Sequence, residues 1–141
     1  MAWPLRYALV FLAAALVIGL SVRAMGSEVV GLMVTLHLMV PAMIAALVEG
    51  RQAARILGAV PPRAALWRFA LVASVIALAL ALSLGHLAGR AAPAFATLVG
   101  SPDAARLLAG CIIGYLLCNR FLFALGAKNH LDRMKQDGEG E

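Results

Sequence analysis

Four stretches of the chain lack Asp, Glu, Lys and Arg, or nearly so, and each lies between charged residues. Tyr7–Val22 lies between Arg6 and Arg23, Val29–Val48 between Glu28 and Glu49, and Phe69–Gly89 between Arg68 and Arg90. The fourth, Leu107–Ala127, is interrupted only by Arg120. A helix that crosses a bilayer needs about 20 apolar residues, within a range of about 17–25. The second, third and fourth stretches meet that length. The first is short, but terminal arginines extend it by reaching toward the head groups. The pattern predicts an all-α, four-helix transmembrane bundle in a single membrane domain. Its spans are expected at about 5–25, 28–49, 66–88 and 104–125.

Local signals refine the boundaries. Pro4 suits a first helical turn, where its missing N–H has no partner to lose. Trp3 and Tyr7 suit a membrane interface, as do Trp67 and Phe69 at the start of helix 3. Gly26-Ser27 makes a tight turn, with Ser27 as a cap and Glu28 in the positive first turn of helix 2. Helix 2 is expected to run beyond its span through "EGRQAARIL" to about residue 57, where Gly58 and Pro61-Pro62 stop it. "SPDAAR" starts helix 4, with Ser101 as cap and Pro102 in first position. "AAPAFATLVG" is apolar but too short to span, and is expected as a loop. The last residues, "DGEGE", are expected to fray. "RYALV" and "RFALV" echo each other at Arg6 and Arg68, which any helix entering from the basic side would produce.

Charge then orients the bundle. Lys and Arg concentrate in cytoplasmic loops. Arg6, the arginines at 51, 55, 63 and 68, Arg120, and the basic residues at 128, 133 and 135 fall on one side, nine in all. Only Arg23, Arg90 and Arg106 fall on the other. Both termini, the 50–65 loop and the 128–141 tail are therefore expected in the cytoplasm. The first stretch also has some features of a signal peptide, with Val22-Arg23-Ala24 as a poor cleavage site, but its apolar run exceeds the usual h-region of about 7–15 residues. Composition agrees with a membrane protein. The 141 residues are 63% hydrophobic and 13% charged, with a mean hydropathy of +0.92, against about 25% charged in soluble domains. The net charge of +5 is divided between two membrane faces and lacks the aromatic interleaving of a nucleic-acid surface. Its expected partner is anionic lipid head groups.

Candidate chemistry centres on "HLMVPAM", His37 to Met43. Each residue advances a helix by about 100°. Met39 and Met43 therefore lie about 200° and 240° from His37, on another face, and this helix alone cannot gather a soft-metal site. Pro41 has no N–H to give the carbonyl of His37. That leaves a polar spot at mid-membrane, which should kink the helix and face its neighbours. His37 and Pro41, with Thr35 and Tyr115, are the intramembrane polar candidates, read first as interhelical hydrogen bonding and second as a proton or ligand path. Glu49 and Arg120, near the same end of their helices, are the ion-pair candidates. Gly110 and Gly114 form a GxxxG that suits close helix packing. Cys111 and Cys118 share a face, but about 10.5 Å of rise forbids a disulfide between them. No carboxylate lies inside a span, and no HExxH, catalytic triad or phosphate-binding loop is visible. No catalytic residue, cofactor or metal is expected.

The four spans, the proline in the second and the loop "EGRQAARILGAVPPRAALWRF" resemble a group of small proteobacterial four-span inner-membrane proteins. The resemblance rests on about residues 37–75 and on hydropathy elsewhere. It implies a bacterial inner-membrane location and supplies no activity or site residues. Small multidrug transporters share the size but carry a Glu in the first span, which this chain lacks. The expected function is a non-enzymatic accessory or interaction subunit, as a homo-oligomer or within a larger membrane complex. The alternative is a small oligomeric transporter or channel with a polar seam at His37.

Overall fold

A computed structural model describes residues 2–25, 30–91 and 102–138, with side chains at 2–21, 39–87, 106 and 109–137. These residues are helical almost throughout. The helices are α1 (Trp3–Met25), α2 (Val30–Leu57), α3 (Arg63–Ala91) and α4 (Pro102–Gly138). Three stretches within them are long and apolar enough to cross a membrane: Trp3–Ser21, Arg63–Leu87 and Ala109–Asp137. The first half of the second expected span has no described side chains, and the 92–101 loop and the 139–141 tail lie outside the described residues.

The stop signals act as expected. Gly58 takes φ 64°, a left-handed conformation that costs glycine nothing, and its N–H closes the last turn of α2 on Ala54. Pro102 opens α4. α2 runs unbroken through Pro41, which is fully buried.

Each helix buries residues that recur every fourth position. These are Tyr7, Phe11 and Ala15 on α1; Ala42, Ala46, Gly50 and Ala54 on α2; Phe69, Ala73, Ala77 and Ala81 on α3; and Tyr115, Asn119, Phe123 and Ala127 on α4. Four-apart residues form a ridge along a helix, and small ridges let neighbouring helices approach closely. The helices form a ring in the order α1, α2, α4, α3, with the most extensive contact between α2 and α4. At that contact a Cβ on Gly50 would run into the backbone of Phe123, and one on Gly126 into the backbone of Leu47. The outward positions are apolar, as at Leu16, Val17, Val75, Ile113 and Phe121.

Packing corrects several expectations. A Cβ on Gly114 would come to 3.2 Å from the Met39 side chain, whereas one on Gly110 would meet nothing within 4 Å among the described residues. The close helix approach belongs to Gly50 and Gly126 instead. Tyr7 and Phe69 point into the bundle and are buried, whereas Trp67 is exposed.

Candidate functional site

Polar and aromatic side chains gather at one end of the bundle, where α1 and α3 begin and α2 approaches its end. The antiparallel pairing of α1 with α2 brings Arg6 opposite Glu49. Arg6 Nε donates to Glu49 Oε1 at 2.5 Å and Nη2 donates to Oε2 at 2.6 Å. This is the two-pronged geometry that a planar guanidinium offers a carboxylate. Glu49 is 2% exposed, so the pair is what allows a charge at that depth. Arg120 is not the partner of Glu49. Its guanidinium lies 4.4 Å from the Trp67 ring centroid and 5.0 Å from that of Phe121. The rings offer their negative faces to the cation. The reason is rotational: Asn119 takes the inward position on α4, which turns Arg120 about 100° toward α3.

One turn further in, a hydrogen-bonded chain crosses the bundle. The Tyr7 hydroxyl donates to Asn119 Oδ1 at 2.8 Å, and Asn119 Nδ2 donates to Ser74 Oγ at 3.2 Å. Asn119 is fully buried, and this chain gives both ends of its amide a partner, as an apolar surrounding requires. Three helices are tied through one side chain.

Aromatic rings line the same end. Phe69 stacks on Phe123 at 3.9 Å, Trp3 lies 5.3 Å from Phe69, and Tyr7 meets Phe69 edge-on at 5.9 Å. Beside them opens a cleft of about 410 Å³, lined among others by Trp3, Arg6, Glu49, Arg68, Phe69 and Val72. It lies between the first turns of α1, the last turns of α2 and the start of α3.

Other sequence candidates fall differently. Tyr115 is buried on the inner ridge of α4. Thr35 and His37 lie outside the residues whose side chains are described. Cys111 and Cys118 are free thiols. Among the described residues, no three His, Cys, Asp or Glu side chains gather as a metal ion would need. Arg6 and Ser74 are the site residues that sequence reasoning undervalued. The signal for Arg6 was present, since an antiparallel α1–α2 hairpin places it opposite Glu49.

No family model matches the chain, and neither curated proteins nor solved structures provide a match.

Proposed function

We propose that the chain is a non-enzymatic interaction subunit of a bacterial inner membrane, spanning it four times, with both termini and the α2–α3 connection in the cytoplasm. The apolar outer faces support insertion, and the uncharged start of α2 supplies the fourth span. The nine-to-three distribution of Lys and Arg supports the orientation.

One observation carries the interaction role. α2 and α4 continue together beyond the aromatic end. There they leave Ile56 72% exposed, Leu57 58% exposed and Met134 57% exposed, beside the exposed cations Arg51, Arg55, Arg133 and Lys135. Exposed apolar side chains at this end of α2 and α4, with basic residues near them, suit a protein partner.

Photo-crosslinking residues placed at Ile56 and Met134 test this in native membranes. The reading expects a discrete adduct with a different protein. Adducts with lipid alone would sink it. Adducts with second copies of the chain, together with loss of solute flux in His37→Leu, would favour a small oligomeric transporter instead.

A further inference from the structure

The cleft beside Trp3 has the shape and charge of a site for an amphiphile. Its volume of about 410 Å³ lies in the usual range for ligand pockets, about 300–1,000 Å³. Phe69, Val72 and Phe123 give it an apolar inner wall, and Ile56 and Leu57 form an exposed apolar rim. Three charged groups line it. Arg6 and Glu49 neutralise each other, and both Glu49 oxygens are occupied. Arg68 is exposed, and among the described residues it has no ion-pair or hydrogen-bond partner. The lining therefore carries one uncompensated positive charge, which favours an anion over a lipophilic cation.

Depth separates the two ends of the occupant. Val72 lies one turn, about 6 Å, beyond Arg68 along α3, in the direction of the apolar span. An anionic group on Arg68 thus leaves a hydrocarbon tail pointing along Phe69 and Val72. Trp3 stands at the same level, where tryptophan marks the head-group region. We infer that the cleft holds one anionic phospholipid, its phosphate on Arg68 and an acyl chain along the Phe69–Val72 wall. This rests on the membrane reading above and adds a specific lipid seat to it.

Native mass spectrometry of the detergent-purified, delipidated chain tests the inference. Phosphatidylglycerol and phosphatidylcholine with the same acyl chains are titrated separately. One phosphatidylglycerol should bind about fivefold more tightly than phosphatidylcholine, the effect of one basic residue near an anionic head group. Arg68→Gln should remove the preference, and Arg68→Lys should keep most of it. Ala65→Phe should reduce binding of both lipids by filling the cleft, with unchanged helicity as the control for folding. Arg51→Gln, outside the cleft, should change nothing. Equal binding of the two lipids by the unmodified chain would overturn the inference. So would an Arg68→Gln preference equal to that of the unmodified chain, or an equal loss in Arg51→Gln. Carbonate extraction of cell membranes tests the membrane reading separately. A water-soluble short-chain phosphatidylglycerol decides the cleft whatever that extraction shows.

Discussion

Glu49 is the most consequential side chain at the basic end of the bundle. Water does not solvate a carboxylate at that depth, so Arg6 must, and its two donors do so with both prongs. Removing one partner strands the other, which in buried pairs costs about 3–5 kcal/mol. The Arg6 side chain keeps 29% of its surface exposed, so the lower end applies. Glu49→Gln should destabilise the chain by about 3 kcal/mol, measured by reversible unfolding in mixed detergent micelles. Exchanging the two residues should recover part of that loss. A Glu49→Gln effect within error of zero would mean that the pair is not formed in the folded state. Glu49 was legible in the sequence as a residue needing a cation, because it closes an uncharged stretch. Its partner was harder to read. Arg6 and Arg120 both lie near that end, and both belong to helices that adjoin α2. The choice depends on rotation about each helix axis, which Asn119 fixes by taking the inward position on α4.

At the scale of helices, boundaries were far more legible than contacts. Charge-free stretches, Gly58 and Pro102 mark elements through local chemistry, and the structure places α2 and α4 accordingly. Packing depends on which small residues meet, and that is non-local. The conspicuous GxxxG of α4 is half idle, since a Cβ on Gly110 would meet nothing within 4 Å among the described residues. Gly50 looked isolated because its companions four residues away, Ala46 and Ala54, are alanines. Read as one ridge of small residues, Ala42, Ala46, Gly50 and Ala54 form a stronger packing signal than the glycine pair. The two kinds of glycine give opposite expectations. Gly126→Leu and Gly50→Val place atoms where a neighbouring backbone lies, so α2 and α4 must separate, at a cost of about 1–3 kcal/mol or more. Gly110→Leu should leave stability unchanged or slightly raised, because leucine is the better helix former. Thermal denaturation of the three variants in one detergent separates the cases. A Gly110→Leu loss matching that of Gly126→Leu would contradict the packing.

For the whole molecule, the contacts place four chain positions at one end, and this makes its orientation testable at a single residue. Arg6 meets Glu49, Trp3 meets Phe69, and Phe69 stacks on Phe123. The start of α1, the end of α2, the start of α3 and the later part of α4 therefore share one side. Val60, 46% exposed in the connection between α2 and α3, reports on all of them. Nine of the twelve Lys and Arg residues flank this end, and translocating them would oppose the bias that sets membrane topology. Under the proposed inner-membrane topology, with Cys111 and Cys118 changed to Ala, a Val60→Cys variant should resist a membrane-impermeant maleimide in intact cells and react once that membrane is permeabilised. Labelling of intact cells would invert the whole bundle and place the exposed Ile56 and Met134 surface outside the cytoplasm. The partner sought by crosslinking would then have to be periplasmic. The internal packing would remain as described, because the contacts around Glu49 and Asn119 do not depend on which way the bundle faces.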